Sequence, residues 1–367
     1  MTSPDRSAAG TAAGTAAGAR AEGDAEGDAE GDAQEVAPEL RCSDAARRLG
    51  EPADATAPYA VSWVGVVVPG AWPAEAVGRL PEDLRAVLEA APGVRPVLLR
   101  PVGRQGTGVG LLLAGTRPGR TWLREVDAAG TSDVLAELAA DGSPAMVALT
   151  TGRDPGLGRR SDRPAVLVCT NGARDACCAR AGRPAATLLH QRLTPSRSGL
   201  FGRGPVGADV WEASHLGGHR FAPTAVVLPH GIVLGGLGPD PGPLADAVED
   251  TLVGRTVLDG YRGRSTYLTH EQAAETAVRR HLAVIGVSAG PDDVLVDGST
   301  SVEAVSGRTG GSWRVLVRHS GGRTFRVRVH RSLMAPGRPA SCGAAVSPVV
   351  LWDCEVDPDP APGIYLG

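Results

Sequence analysis

Two cysteines and two histidines crowd the middle of the chain. Residues 169–178 read C-T-N-G-A-R-D-A-C-C, and residues 215–219 read H-L-G-G-H. Cys169, Cys178, His215 and His219 together offer two thiols and two imidazoles, a donor set suited to a soft metal. Singly, each residue has a plainer use. A free cysteine packs as a small hydrophobe, and a lone histidine is an ordinary core or surface residue. Four such residues with glycines beside both pairs point to a metal site. Cys177, next to Cys178, is a rival for the same role.

The spacing says what must position these side chains. Cysteines nine positions apart cannot share a helical turn, so Cys169 is expected at the end of a strand, with Cys178 closing a loop. His215 and His219 enclose Gly217 and Gly218. Glycine tolerates positive φ and close backbone approach, so this loop can fold both rings onto one point. It also leaves backbone N–H groups free to face an anionic centre.

The apolar run 164–170 fits the delivering strand. Residues 183–193 carry Leu188, Leu189 and Leu193 on one helical face, and 209–212 reads as a brief strand leading to His215. Residues 224–228 and 232–234 flank P-H-G as a hairpin. Residues 243–252 place Leu244, Val248 and Leu252 on one helical stripe. Strand, helix, strand, hairpin, helix is the thioredoxin-like order.

C-x8-C followed by H-x-G-G-H resembles the thioredoxin-like ferredoxins of the sucrase/ferredoxin-like family. The flanks V-L-V-C-T-N-G-A-R-D and W-E-A-S-H-L-G-G-H-R-F-A-P-T-A-V-V-L-P agree. The resemblance runs over residues 42–237 and is densest from 166 to 237. It implies a 2Fe–2S cluster held by Cys169, Cys178, His215 and His219, with the family spacing favouring Cys178 over Cys177. It leaves open whether both imidazoles share one iron. The implied function is electron transfer or redox sensing with a redox partner protein of unknown identity. Replacing two thiolates by neutral imidazoles raises a cluster's potential, to about −150 to +300 mV in Rieske centres. The family's "sucrase" is not an expected activity, because glycoside hydrolysis needs two placed carboxylates and the motif supplies none. An electron carrier is therefore expected, rather than a catalyst.

Two other chemistries remain open. The same Cys2His2 set can hold a structural zinc ion in a non-redox protein. A thiol oxidoreductase would use Cys177 and Cys178, but such chemistry favours C-x-x-C at a helix start, and the chain has none. Arg174 and Arg220 are placed to add positive charge near the centre. Asp175 is expected in a salt bridge or orienting a ligand ring.

The fold class expected is α/β: a thioredoxin-like ferredoxin domain at 161–255, an N-terminal α/β region at 40–150 and a C-terminal α+β extension at 256–367. Residues 1–39 repeat A-E-G-D and T-A-A-G and hold almost no large apolar side chains. They are expected to be disordered, having nothing to offset the entropy of ordering. This segment carries nine acids against two arginines, a net of −7, so the rest carries +3 of the chain's −4. That is too weak a balance to imply nucleic acid. No run of eighteen apolar residues suggests a membrane span, and the first residues resemble neither a secretory signal nor a transit peptide. The expectation is a cytoplasmic protein. With six cysteines in 367 residues, no disulfide framework is expected.

In the N-terminal region, 43–50 reads as a helix capped by Ser43, and 59–68, 97–100 and 109–114 read as strands. Residues 81–91 and 131–140 read as helices and 145–150 as a strand. The glycines over 103–110 suggest a hairpin turn rather than a nucleotide loop, since no Lys-Ser/Thr ending follows. Residues 151–163 read as a loop. In the extension, 270–285 is an amphipathic helix, and 293–296, 313–319 and 324–330 are strands. Arg314, Arg318, Arg323, Arg326, Arg328 and Arg331 make a basic face, either solvated or suited to an acidic partner. Cys342 and Cys354 fit no metal spacing with each other and are expected to be structural thiols.

Overall fold

The largely apolar run at 62–67 forms the hub of the N-terminal half, buried on both faces as the lack of polar alternation predicts. The structure is a computed structural model. It describes residues 40–103, 108–194, 207–303 and 310–358, so the acidic 1–39 segment lies outside it.

The chain begins with α1 (Cys42–Arg48). Strand β1 (Ser62–Val67) is followed by a 3-10 turn (Ala76–Arg79) and α2 (Glu82–Ala90). Then come β2 (Val94–Pro101), β3 (Val109–Gly115), β4 (Trp122–Asp127), α3 (Thr131–Ala139), α4 (Pro144–Thr151) and the two-residue β5 (Arg159–Arg160). The next run is β6 (Ala165–Cys169), α5 (Ala176–Leu193), β7 (Asp209–Ala213), β8 (Ala225–Leu228), β9 (Ile232–Leu234), α6 (Pro241–Leu252) and β10 (Tyr261–Arg264). Helix α7 (Thr269–Val284) leads to β11 (Val294–Glu303), β12 (Ser312–His319), β13 (Thr324–Pro339) and β14 (Val346–Pro358).

Strands β1 to β10 build one mixed sheet in the order β10-β9-β8-β6-β7-β2-β1-β3-β4-β5. Its two halves repeat one topology. In the second, β6 and β7 are parallel with α5 between them, β8 runs antiparallel to β6, β9 to β8, and α6 and β10 follow. This is the thioredoxin-like order expected from the sequence. In the first, β1 and β2 are parallel around α2, β3 runs antiparallel to β1, β4 to β3, and α3, α4 and β5 follow. The halves join where β2 meets β7 antiparallel. One side-chain row crosses four strands: Val67 opposite Leu99, Leu99 opposite Ala213, and Ala213 opposite Cys169.

Alternating side chains divide the burial. Trp63, Val97, Leu99, Leu112, Leu167, Trp211, Val226 and Val233 form a core shared by both halves, and Cys169 and Cys178 belong to it. The opposite face packs on α2, α3 and α4 in the first half and on α5 and α6 in the second. Strands β11 to β14 form a separate antiparallel sheet. Helix α7 covers it with Ala274, Val278 and Leu282 against Val315, Val317, Phe325, Val327 and Val329. Arg314, Arg318, Arg326 and Arg328 point to the exposed side, in the alternation expected of a one-sided sheet.

Several local expectations give way. Residues 144–151 are a helix, not a strand, because Ser143 caps it through the Met146 N–H and Pro144 occupies the first turn. Strands β2 and β3 do not form a hairpin; both flank β1, on opposite sides. Helix α1 is not capped by Ser43; Arg41 is its first flanking residue, and the Ser43 hydroxyl donates to Cys177 Sγ. Strands β4, β5, β10 and β14 lie where no strand was expected, β5 within the stretch read as a loop.

Candidate metal centre

Cys169 is the last residue of β6 and is 2 % exposed. The sequence expectation of a strand delivering this thiol holds. Cys178 does not close a loop: it sits in the first turn of α5, which begins at Ala176, seven residues before the helix expected from the sequence. The connection is tight. Asp175 N–H bonds to the Asn171 carbonyl, and Asp175 Oδ1 accepts from the Cys177 N–H at 2.8 Å, capping the helix. Asp175 thus works as a cap; among the described residues it makes no salt bridge, and its carboxylate lies close to His219.

Helix α5 presses unusually close to β6. A Cβ at Gly182 would lie 2.0 Å from the Cys169 carbonyl oxygen, so only glycine permits that approach. The approach brings Cys178, in the helix's first turn, over the strand end. A helix N-terminus also favours thiolate.

The histidine loop leaves β7 after Ser214, whose hydroxyl accepts from the Leu98 N–H at 3.0 Å across the seam between halves. Gly217 and Gly218 both take positive φ, +80° and +73°. The chain then makes a single 3-10 turn at His219–Phe221. The two imidazoles stack with centroids 4.7 Å apart. His219 Nδ1 lies 3.2 Å from Cys178 Sγ. The structure therefore gathers the four predicted residues at one end of the shared core.

Buried arginines, which the sequence reading passed over, brace this loop. Arg262 in β10 donates to the Gly217 carbonyl at 3.0 Å and to Thr56 Oγ1 at 3.0 Å. A Cβ at Gly218 would lie 2.2 Å from Arg262 Nη2, so the glycine and the guanidinium require one another. Burial pushes Arg262 down to about 9, with the nearby Arg220 charge adding to the effect; it remains a cation at neutral pH. Arg95 is pushed down by burial too, against the pull of Cys169. Nothing in the local spacing of Y-R-G-R marks Arg262; the pairing of β10 with β9 puts it here. Arg220 pairs with buried Glu51 at 2.7 Å and Arg174 pairs with Glu75, and the Arg174 charge still acts on His219.

The two thiols titrate as a pair. The contact with Cys178 pulls Cys169 well below the ordinary thiol range against burial, and the His215 ring and the Leu216 N–H add to the pull. The same contact with Cys169, together with burial, pushes Cys178 up. Burial and the neighbouring His215 hold His219 below the ordinary histidine range, favouring the neutral imidazole that metals bind.

His215 Nδ1 is buried and has no hydrogen-bond partner. An orphaned buried ring nitrogen is costly in a bare protein. Asp175 also comes within 4.8 Å of the donor atoms of Cys178 and His219. The donor set fits a soft or borderline metal, or an iron–sulfur cluster. Cys177 takes no part: it faces Cys42, Ser43 and Cys342.

Among the described residues no helix is long and apolar enough to cross a membrane. Residues 101–263 match the family described as sucrase/ferredoxin-like. Comparison with curated proteins and with solved structures returned no match. The matched stretch runs from the end of β2 to β10 and contains all four Cys and His side chains, so the part of the chain that carries the site is similar to the sucrase/ferredoxin-like family.

Proposed function

We propose that this protein is a 2Fe–2S electron-transfer or redox-sensing protein whose cluster is held by Cys169, Cys178, His215 and His219. One observation carries the reading: two thiols in mutual contact and two stacked imidazoles converge from β6, α5 and the glycine loop, with His215 Nδ1 left unpaired. When bound, such a cluster supplies a one-electron couple. The chain's own residues do the rest. The shared core dries the thiols, and the α5 N-terminus and the Arg262 and Arg95 guanidiniums set a positive field around them. Arg262 fixes the loop that carries both rings.

A redox partner is part of the proposal, since an electron carrier needs a donor and an acceptor. The exposed arginines of β12 and β13 suit an acidic one. The second reading is a structural zinc ion on the same residues. The carboxylate of Asp175 favours it, because zinc accepts mixed sulfur, nitrogen and oxygen sets. Visible absorption with iron and sulfide counts on anaerobically purified protein separates the two. A coloured protein with matched iron and sulfide supports the cluster, and a colourless zinc protein refutes it.

A further inference from the structure

A second group of thiols lies on the far side of Asp175. Cys42 comes from α1, Cys177 from the first turn of α5, and Cys342 from the turn between β13 and β14. Their sulfurs form a near-equilateral triangle: Cys42 to Cys177 is 3.6 Å, Cys177 to Cys342 is 3.5 Å, and Cys342 to Cys42 is 3.7 Å. Asp175 caps the triangle, with carboxylate oxygens 3.6 Å from Cys42 Sγ and 3.4 Å from Cys342 Sγ.

These distances match the edges of a coordination tetrahedron. Zinc bonds of about 2.3 Å to sulfur and about 2.0 Å to oxygen place sulfurs about 3.8 Å apart and sulfur and oxygen about 3.5 Å apart. A disulfide would need the sulfurs at about 2.0 Å, and three thiols cannot pair without a remainder. The Asp175 carboxylate supplies the oxygen that completes a three-sulfur zinc set. Its geometry is also fixed from outside, by N–H groups of Cys177 and Cys342, each donating at 2.8 Å. Cys42, Cys177 and Asp175 are 0 %, 2 % and 3 % exposed, while Cys342 closes the group from the surface.

We propose that Cys42, Cys177, Cys342 and Asp175 are a second metal site, a closed tetrahedral one for zinc, separate from the four residues of the candidate cluster. Four protein ligands leave no open position, so its role is structural. It fastens three segments far apart in sequence: the N-terminal helix, the helix that carries Cys178, and a turn of the second sheet. Cys42 and Cys342 are 300 positions apart. The adjoining contact of Arg338 with Glu51 already holds that turn against the end of α1, so the ligands are brought together before the metal arrives. Because Asp175 stands between the groups, a filled zinc site also fixes the start of α5 and hence Cys178.

The test is metal counting on full-length protein purified anaerobically from cells supplied with both iron and zinc. The expected result is zinc stoichiometric with the chain. In Cys342→Ser, a surface substitution that leaves the core intact, the zinc is lost and the iron and sulfide stay. Cys169→Ser is expected to keep the zinc, whether or not the first site holds iron, so failure of the cluster reading does not imitate failure here. X-ray absorption at the zinc edge should show three sulfurs and one lighter atom. Zinc absent from the wild type, zinc unchanged in Cys342→Ser, a two-sulfur two-nitrogen shell, or a disulfide by mass between any two of the three thiols would each overturn the proposal.

Discussion

The two halves of the large sheet share a topology and differ in what their connections carry. In both, a parallel pair brackets a helix, a hairpin follows, and a helix and a last edge strand close the unit. Val67 stands in the first half where Cys169 stands in the second, at the two ends of one side-chain row. After Val67 the chain takes a long path through a 3-10 turn before the nine-residue α2. After Cys169 it turns at once into the eighteen-residue α5, with glycine at the contact. The strands therefore provide a common frame, and chemistry arises where a connection is short enough to set a helix N-terminus over a strand end.

The largest effect should separate the paired positions outright. Cys169→Ala is expected to remove all cluster iron and visible absorption, while Val67→Ala leaves both unchanged. Cys178→Ala should match Cys169→Ala, and Cys177→Ala should keep the iron. If Val67→Ala bleaches the protein, the asymmetry of the two halves is misjudged.

Next comes the anchoring of the site loop. Glu51 is buried between Arg338 and Arg220, and Arg220 directly follows His219. The first half's nearest parallel, Arg124 with Asp154, is more open to water. Glu51→Ala leaves two buried guanidiniums uncompensated and should cost about 3–5 kcal/mol, whereas Asp154→Ala should cost about 1 kcal/mol or less. Burial raises the Glu51 carboxyl, but Arg338 and Arg220 outweigh it and hold it below the ordinary range. A depressed carboxylate contributes its stability above its unfolded pKa and loses it as pH falls through its folded one. The gap between wild type and Glu51→Gln in denaturant titrations should therefore narrow towards acid. A gap that widens there would contradict the assignment.

A smaller effect compares two glycines. A Cβ at Gly182 meets the backbone oxygen of Cys169 at 2.0 Å, while one at Gly65 meets the movable Leu99 side chain at 2.4 Å. Each alanine variant should cost about 1–3 kcal/mol by overpacking. Only Gly182→Ala should also lower iron content, because it pushes α5 off β6. Equal iron in both variants would show that the close helix approach does not position Cys178. Smallest is Arg174→Ala, which removes an exposed pair with Glu75. Its melting midpoint should hardly move, as surface pairs contribute about 0–1 kcal/mol.

Much of the second half was legible in its sequence. Residues 164–170 read as an apolar strand delivering Cys169, and the pair of glycines between His215 and His219 announced a loop with positive φ, both as found. The first turn of α5 was hidden because Cys177, Cys178 and Gly182 carry little helical periodicity; the Asp175 cap, which starts the helix, was the available signal. Helix α4 was hidden for a related reason, a short apolar run that suits either state, with only Ser143 and Pro144 to decide it. Arg262 and the grouping of Cys42 with Cys177 and Cys342 follow from long-range pairing, over separations of 135 and 165 residues for the thiols. No local pattern encodes such contacts. The repeated topology was equally silent, because it is carried by strand order rather than by repeated residues.

The central claim is that the second half holds a 2Fe–2S cluster on two cysteines and two histidines. Its most direct measurement is electron paramagnetic resonance of the anaerobically purified, reduced protein, with iron and acid-labile sulfide counted on the same sample. The account predicts a spin-half signal with nitrogen couplings from two imidazoles, and iron equal to sulfide. Loss of one coupling should accompany His215→Cys or His219→Cys. A sample with no signal and no iron or sulfide, or a signal free of nitrogen coupling, would contradict it.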